Sequence, residues 1–472
     1  MCSVPDAEQT AREHAYPTRA FKCTMAAHVQ RTRATDARVG KSFSSDRIAA
    51  NPGTVQVSRD VHDGTRIGHL MMEPDAHGRG PLRADEMTDP NQSVAPSGLV
   101  NVLLLSTSYP SNAADWRGVF MRHLVAALAR RNDVTLSVWA PPGELPDAAR
   151  ATTTTKESAW LAHLMAEGGI SHLMRNGGLR AVAAPFRLLC MIAAAYRRQT
   201  GTDLYHVNWL QCALPLPRNG TPALITVLGN DLKLLRLPFM QPLLRRVMRG
   251  RKVAICPNAE WMRAPLQSAF GDVAQVIPVS FGIDSSWYQV QRHMATDKPR
   301  LWLAVTRLTA DKLGALFEWS EALFRTDGRE LHLFGPMQEG ITVPTWVHYH
   351  GAATAEQLAT VWFPIACGLI TLSRHAEGRP QVMLEAMAAG LPIIASRTPA
   401  HASIVQHDRT GALCATRDSY CVALERMEGD SINRQFGETA RNWALHEVGT
   451  WDDCAQRYTQ VYRKLLGVDL GQ

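Results

Sequence analysis

Short apolar runs that end in polar loops recur along the chain from Leu99 onward. LVNVLLLSTSYP (99–110) is a continuous apolar run, which is typical of a strand buried on both faces of a parallel sheet. GVFMRHLVAALARR (118–131) has apolar residues at helical spacing, and NDVTLSVWAPP (132–142) is again strand-like. The three segments predict one strand–helix–strand unit.

The same pattern continues and then restarts. Strand-then-loop segments are predicted at 203–216, 222–232, 252–262 and 276–284. After the polar stretch 289–299, further segments follow at 300–319, 330–337, 348–351, 367–378 and 391–396. This order predicts an α/β protein with two Rossmann-like, doubly wound domains that face each other across a cleft.

Domain boundaries follow from these patterns. We expect the first domain at 98–285 and the second at 286–450. The segment 451–472 contains the amphipathic stretch WDDCAQRYTQVYRKLL (451–466), which predicts a helix that packs back across both domains.

Residues 1–97 differ from the rest because they show no sustained apolar periodicity. Such a segment cannot bury enough apolar surface to offset its chain entropy, so we expect a disordered extension. It has neither the apolar region of a secretory signal nor the low acidity of a transit peptide. Met87 begins a short polar leader directly before the first strand, and residues 1–86 are therefore predicted to be dispensable.

Composition narrows the class of protein. The chain is 46% hydrophobic and 20% charged, as is usual for globular proteins. The longest apolar stretch, 181–196, is too short for a membrane span and contains Arg187. Nine cysteines form no CxxC pair, which favours reduced thiols in a cytoplasm and argues against a cysteine zinc site.

Charge is unevenly distributed along the chain. Residues 1–97 hold equal numbers of basic and acidic residues, so the net charge of +7 lies in 98–472. This excess suits an anionic small molecule or an anionic membrane surface, and no nucleic-acid-binding motif accompanies it. The stretch 233–252 carries seven basic residues and no acidic one. It is interpreted either as a solvated helix face with some ion pairs or as a surface that lies on anionic lipid.

The segment EGRPQVMLEAMAAGLPIIAS (377–396) carries the most specific pattern. Pro380 suits the first turn of a helix, whose N-terminus would offer free N–H groups and a positive dipole to a phosphate. Glu377 before this helix and Glu385 within it would repel phosphate. They are better interpreted as acceptors for hydroxyl groups on either side of a diphosphate, one on a ribose and one on a sugar.

A second segment, TRLTADKLG (306–314), places Arg307 and Lys312 at a strand end, where both cations can converge on one anion. In the first half, Ser106 to Gly118 should line the cleft, because ligands bind beyond the carboxyl ends of parallel strands. Gly118 would allow a ligand or a facing domain to approach the backbone closely.

These residues resemble a known family. Glu377 and Glu385 form an E-x7-E pattern, Arg307 and Lys312 form an R-x4-K pattern, and VIPVSFGID is similar to an interdomain crossing. Together they resemble the GT-B retaining glycosyltransferases, specifically glycosyltransferase family four, over about 98–466.

The resemblance implies a nucleotide-sugar donor, a metal-independent reaction and retained anomeric stereochemistry. Glu377 would bind the donor sugar, Glu385 the ribose, and Arg307 and Lys312 the diphosphate. The remaining residues expected at the donor site are Gly378, Arg379, Gln381, Val382, Gly335, Arg374 and His375.

The resemblance also implies candidates in the first half. His206 lies where the family often has an H-x-H-type pair, and Asp231 lies at the next strand end; both are catalytic candidates. Asn208 and Asn230, together with Gly118, are expected at the acceptor side of the cleft. The alternatives are a structural role for His206 and a helix-capping role for Asn230 and Asp231. Leu228 stands where many relatives carry a histidine.

The sequence thus predicts a retaining glycosyltransferase that needs neither a metal nor another cofactor. The expected partners are a nucleotide-sugar, a glycan or glycolipid acceptor and an anionic membrane surface contacted through 233–252, and not nucleic acid. The expected location is the cytoplasm, peripheral on the inner face of the membrane. Two other functions fit the pattern: a non-catalytic regulator that binds a nucleotide-sugar, and a nucleotide-sugar epimerase. A dinucleotide oxidoreductase fits least, because no GxGxxG follows a strand.

Overall fold

The structure is a computed structural model that describes residues 99–112, 115–170, 178–293, 299–326 and 328–468. The expectations for residues 1–97 and for a start at Met87 lie outside the described residues.

A parallel sheet of seven strands forms the first half of the described chain. Its strands are β1 (Val100–Leu105), β2 (Val134–Trp139), β3 (Ala149–Ala151), β4 (Leu204–Asn208), β5 (Ala223–Val227), β6 (Val253–Pro257) and β7 (Gln275–Val276). Its helices are α1 (Val119–Ala129), α2 (Thr155–Ala166), α3 (Gly178–Arg198), α4 (Asp231–Leu234), α5 (Met240–Met248) and α6 (Arg263–Phe270). Short 3-10 turns lie at Leu210–Ala213, Glu260–Met262 and Ser285–Gln289.

The second half contains a parallel sheet of six described strands. They are β8 (Arg300–Val305), β9 (Arg329–Phe334), β10 (Val347–Tyr349), β11 (Gly368–Thr371), β12 (Ile393–Ser396) and β13 (Gly411–Cys414). The helices are α7 (Ala310–Leu313), α8 (Leu316–Phe324), α9 (Ala355–Gln357), α10 (Gln381–Ala388), α11 (Pro399–Ala402), α12 (Arg417–Met427), α13 (Asp430–Trp443) and α14 (Trp451–Leu466). Two π-helical turns lie at Leu358–Trp362 and Ala444–Val448.

Strand order explains where a ligand can bind. The first sheet runs β3-β2-β1-β4-β5-β6-β7, and the second runs β10-β9-β8-β11-β12-β13. Each order reverses once, between β1 and β4 and between β8 and β11, which leaves a crevice at the carboxyl edge of the sheet. The predicted doubly wound α/β fold is therefore confirmed.

The apolar runs become strands because they are covered on both faces. All five residues of β5 and of β6 are buried, and helices pack on either side as in other parallel sheets. In VIPVSFGID the predicted strand is short. Gln275–Val276 pairs with β6, the N–H groups of Ile277 and Val279 still donate to β6 carbonyls, and the following residues cross between the halves. There Ile283 bridges to Thr450, directly before the last helix.

The last helix returns to the first half. α14 begins at a capping box formed by Thr450 and Asp453 and packs against α1. Trp451, Tyr458 and Tyr462 on this helix are buried in the core of the first sheet. The chain therefore crosses between the halves twice, which ties them together near the crevice.

The basic stretch 233–252 is broken in the middle. α4 ends at Leu234, Phe239 has a positive φ of 63°, and α5 follows it. The interruption leaves Leu237, Phe239 and Leu243 at least half exposed. No helix in the described residues is long and apolar enough to cross a membrane.

Candidate functional site

An ion pair marks the crevice of the second sheet. Lys312 lies on α7, whose cap Thr309 accepts a hydrogen bond from the Lys312 backbone N–H. Glu377 lies in the loop between β11 and α10. The Lys312 Nζ and Glu377 Oε1 atoms are 2.5 Å apart, and the two side chains are only 12% and 15% exposed.

Further cations surround this pair. His375 interacts electrostatically with Lys312, Glu377, Lys233 and Arg307, and burial, followed by the charge of Lys312, lowers its pKa. Burial also lowers the pKa of Lys312, against the effect of Glu377. Lys312, Lys233 and Arg307 thus give the surroundings of His375 a positive charge that an anion with more than one negative charge would complement.

The N-terminus of α10 opens beside the ion pair. Pro380 is the cap residue and makes no side-chain capping hydrogen bond. The N–H groups of the first turn, which begins with Gln381 and Val382, are therefore not satisfied by a cap side chain. The positive end of the helix dipole adds to the charge of the neighbouring cations.

Glu385 occupies the same helix one turn later. Burial, and secondly the negative charge of Asp284, raise the pKa of Glu385 to about 7. Within the described part of the chain its carboxylate makes no hydrogen bond. A partly buried carboxyl group of this kind gains most from a ligand that brings hydroxyl donors.

The loop that holds Glu377 is packed directly against the first half. A Cβ atom on Gly229 would lie 2.3 Å from the Gly378 nitrogen, and one on Gly378 would lie 2.5 Å from Asn258 Oδ1. Trp261 Nε1 donates a hydrogen bond of 2.8 Å to the Gly378 carbonyl. We call the contacts of Gly229, Asn258 and Trp261 with Gly378 the interdomain clamp. They fix the position of Glu377 from the opposite side of the cleft.

Two neighbours of Gly378 also face the crossing segment. The Arg379 guanidinium donates to Ser280 Oγ and lies 5.7 Å from the Trp443 ring centre. Gln381 Nε2 donates 2.7 Å to the Gly282 carbonyl. Both side chains are expected at the donor site; in the structure one guanidinium nitrogen of Arg379 and the amide nitrogen of Gln381 donate to the crossing segment.

Arg374, Gly335 and Arg307 are the remaining residues expected at the donor site, and each lies in a different loop. Arg374 is exposed, and its backbone N–H donates to the Asp311 carbonyl. A Cβ on Gly335 would lie 1.7 Å from the Thr306 carbonyl oxygen, so Gly335 allows the β9 loop to pack on the residue before Arg307. Arg307 itself reaches Gln338 at 3.4 Å and lies 6.0 Å from the ring centre of Trp116.

His206 lies in the interior of the first half, and not at the cleft. Its Nδ1 is 2.6 Å from the Tyr462 hydroxyl and its Nε2 is 2.9 Å from the Thr226 hydroxyl. Burial lowers its pKa to about 3, so the ring is neutral at pH 7. The structural alternative describes this histidine better than the catalytic one.

Asp231 also acts on the local backbone. Its carboxylate accepts hydrogen bonds from the N–H groups of Leu210 (3.1 Å) and Leu228 (2.7 Å), and burial raises its pKa to about 7. Asn230, the residue before α4, is exposed and makes no side-chain cap. Asn208 donates 3.0 Å to the Leu105 carbonyl, and its Oδ1 is buried without a partner. Asp231 thus fixes the loops after β4 and β5.

Gly118 begins α1 with a positive φ of 73°. A Cβ atom there would lie 2.6 Å from Ser108 Oγ, so the glycine is required by its own loop. The neighbouring Trp116 is 45% exposed and faces Arg307. This contact places Trp116, in the described part of the 106–118 stretch, beside Arg307 of the second half.

Sequence reasoning missed four residues at this site. From the sequence, Lys233 was considered only as the first residue of the basic stretch 233–252. Lys233 also follows the loop after β5. Asn258 and Trp261 follow the end of β6, and Ser280 lies in the crossing segment. Their positions after strand ends were a usable signal, but only the folded chain shows that they meet the Glu377 loop.

The raised pKa of Glu385 gives a pH-dependent prediction. The folded protein favours the neutral carboxyl group, so its stabilising effect is complete below about pH 4.5 and is lost as the pH rises through about 7. Glu385→Gln should therefore have no effect near pH 5 and should stabilise the protein at pH 8, by on the order of 2 kcal/mol. Urea unfolding of both proteins at the two pH values measures the difference.

The matched control is Glu425→Gln, which changes an exposed carboxylate on α12. Glu425→Gln should leave the difference in the free energy of unfolding between pH 5 and pH 8 unchanged. A Glu385→Gln effect that is the same at both pH values would contradict the assignment of a buried, titrating carboxyl group.

Comparison with known proteins agrees with this arrangement. Residues 347–443, which include the Glu377 loop and α10, match the family model "Glycosyl transferases group 1". The chain is 31% identical over 104 residues to N-acetyl-alpha-D-glucosaminyl L-malate synthase of Bacillus anthracis, an alignment that covers 21% of the chain and 27% of that relative.

A second relative aligns over most of its length. It is the GDP-mannose-dependent alpha-(1-6)-phosphatidylinositol monomannoside mannosyltransferase of Mycobacterium tuberculosis. The two are 24% identical over 409 residues, which covers 77% of the chain and 98% of the relative.

A solved structure shows the same architecture. Sucrose-phosphate synthase from Thermosynechococcus elongatus superposes with a TM-score of 0.59 at 17% identity, over 78% of the chain and all of that structure. The family match covers residues 347–443 of the second half, and the structural similarity extends over both halves. Residues 347–443 are therefore similar to the group 1 glycosyltransferases, and the described chain has the two-domain GT-B fold.

Proposed function

We propose that the protein is a retaining glycosyltransferase that transfers a sugar from a nucleotide-sugar to a lipid-linked or polysaccharide acceptor, without a metal ion at the donor site. The observation that carries the proposal is the Lys312–Glu377 pair at 2.5 Å beside the open N-terminus of α10. Phosphate-binding and hydroxyl-binding groups stand side by side there, as a nucleoside diphosphate sugar requires.

The cations would bind and stabilise the leaving group. When the bond between the anomeric carbon and the diphosphate oxygen breaks, negative charge grows on the diphosphate. Arg307 and Lys312 neutralise that charge, and the N–H groups at the start of α10 donate hydrogen bonds to it. These fixed positive groups supply the charge that a divalent cation would otherwise provide.

The two carboxylates would recognise the groups on either side of the diphosphate. Glu377, held by the interdomain clamp, accepts hydrogen bonds from hydroxyls of the donor sugar. Glu385, on α10, accepts hydrogen bonds from the ribose. The acceptor hydroxyl forms the new bond to the anomeric carbon, and its proton leaves with the nucleoside diphosphate; retention of configuration follows from the family resemblance.

The acceptor side would rest on an anionic membrane. In the stretch 233–252, Leu237, Phe239 and Leu243 are exposed among the basic residues. Arg245 is engaged with Asp272, but Arg246 and Arg249 are exposed and line a cavity of about 330 Å³. Apolar side chains beside arginines suit the boundary between lipid headgroups and acyl chains. The mycobacterial relative is named for a phosphatidylinositol-linked acceptor, and the inner face of the membrane is the expected location.

Nucleotide binding should depend on the cations at the crevice. Without metal, one of the three diphosphates UDP, GDP and ADP should stabilise the full chain by about 2.7 kcal/mol at 100 times its dissociation constant. Arg307→Ala and Lys312→Ala should each remove most of this shift, because each removes one phosphate contact. Thermal unfolding with and without EDTA measures it.

Arg325→Ala is the matched control, since Arg325 is exposed on the same half and paired only with Glu321. It should keep the full nucleotide shift. The proposed donor site would be contradicted if none of the three diphosphates stabilised the protein. It would also be contradicted if Arg325→Ala lost as much of the stabilisation as Arg307→Ala and Lys312→Ala. Incubation with the matching nucleotide-sugar and an acceptor then separates transfer from epimerisation and from binding without turnover.

The interdomain clamp gives a separate prediction. In Gly229→Ala the new Cβ would overlap the Gly378 backbone, so the loop that holds Glu377 must move away. We expect a weaker shift with the nucleotide-sugar and a turnover at least tenfold lower, with little change in the binding of the free diphosphate. Gly340→Ala is the control, because no atom lies within 4 Å of its added Cβ. Equal activity of both variants would show that the clamp does not position Glu377.

Membrane contact should depend on the exposed apolar residues. Phe239→Asp combined with Leu243→Asp should lower cosedimentation with phosphatidylglycerol-containing vesicles at least fivefold, because two apolar anchors become charged. Val422→Asp, at a site of similar exposure on the second half, should have no effect. Unchanged binding of the double variant would favour the other interpretation of 233–252, a solvated face with ion pairs.

A further inference from the structure

Four side chains that the donor site does not use gather at the edge of the second sheet. Glu330 and His332 lie two residues apart on β9, and His348 lies on the edge strand β10, followed by His350. In the parallel register His348 stands beside His332. Since alternate residues of a strand point to the same face, the four residues share one face of the sheet.

Their ligand atoms are close together. One ligand atom from each of Glu330, His332 and His348 lies within 4.8 Å of the other two. The His332 Nε2 and Glu330 Oε2 atoms are 3.0 Å apart, and the rings of His332 and His348 are stacked with centroids 4.8 Å apart. Tetrahedral zinc, with bonds of about 2.0 Å, needs ligand atoms about 3.3 Å apart. Side-chain movements of about 1 Å therefore bring the three atoms around one ion.

His350 orients the central histidine. Its Nε2 is 2.9 Å from Nδ1 of His332, and its ring lies 4.7 Å from those of Phe334 and Trp362. When His332 carries its proton on Nδ1 and donates it to His350, the Nε2 lone pair is free for a metal. A histidine that binds a metal through one nitrogen usually donates its other N–H to a hydrogen-bond acceptor, which fixes the tautomer and the orientation of the ring.

We propose that Glu330, His332 and His348 bind one divalent transition-metal ion of the zinc class, with His350 as the positioning residue for His332. Two imidazoles and one carboxylate are a known zinc ligand set, completed by water in the fourth position. Imidazole ligands favour zinc, nickel and copper over magnesium and calcium. The cluster shares no residue with the site proposed for the nucleotide-sugar.

The ion would fix the edge of the sheet. β10 has only three residues and pairs with β9 alone among the described strands, so an ion that joins the two strands adds a cross-link to a weak edge. Beyond the cluster, the Gly335 N–H donates 2.7 Å to the Gly351 carbonyl, and the Tyr349 hydroxyl donates 2.9 Å to the Gly335 carbonyl. The cross-link thus supports the loop that packs beside Arg307.

Metal content tests the proposal directly. The full chain, prepared without a histidine tag and stripped with EDTA, is dialysed against Zn²⁺ and its metal content is measured by mass spectrometry. We expect about one zinc ion per chain at this site, and with Co²⁺ a visible absorption band of a four-coordinate ion. His350→Ala should weaken binding about 10- to 100-fold, and His348→Ala and Glu330→Gln should abolish the cobalt band.

Three controls make the outcomes distinct. His163→Ala removes an exposed histidine of the first half and should keep full zinc binding. Lys312→Ala should also keep it, which separates this site from the proposed donor site. Far-UV circular dichroism confirms that each variant is folded. Because His348 is exposed, His348→Ala is the substitution least expected to disturb the core. The proposal is overturned if His348→Ala and Glu330→Gln keep the zinc content or the cobalt band of the unchanged protein. That result would indicate adventitious binding.

Discussion

The backbone contact between Gly229 and Gly378 determines how the two halves meet. Neither residue has room for a Cβ atom, so the loop after β5 and the loop before α10 touch main chain to main chain. Asn258 packs on the same glycine, and Trp261 donates to its carbonyl. Because Glu377 precedes Gly378, the first half of the protein fixes the position of a carboxylate that belongs to the second.

Charge at this contact is balanced locally and positive overall. The ammonium group of Lys312 is paired with Glu377 while both are largely removed from water, which offsets much of their desolvation. Arg307 and Lys233 add positive charge from opposite halves, and the start of α10 adds the end of a helix dipole. The chemistry that we propose therefore depends on closure, since one of the cations arrives with the other half.

The fold was largely predictable because parallel sheets leave a strong pattern. Buried strands such as β5 and β6 appear as unbroken apolar runs, and the restart after residue 299 indicated the second sheet. The edge strands β3 and β13 were not predicted; β3 contains Arg150 and is largely exposed, so it lacks the apolar run of a buried strand. The segment 276–284 was expected both as a strand followed by a loop and as a crossing between the halves. In the structure only its start pairs with β6, and Ile283 bridges to Thr450.

The sequence by itself determined the motifs of the second half, because Arg307, Lys312, Glu377 and Glu385 are set by short spacings around one strand–helix unit each. Tertiary structure decided the rest. It placed His206 in the core against Tyr462, turned Arg379 and Gln381 toward the crossing segment, and brought Lys233 and Trp261 to the Glu377 loop. It also assembled the Glu330–His332–His348 cluster from two strands. These contacts join residues far apart in the chain, and spacing along a sequence carries no information about which strand ends and which loops will face each other once the halves close.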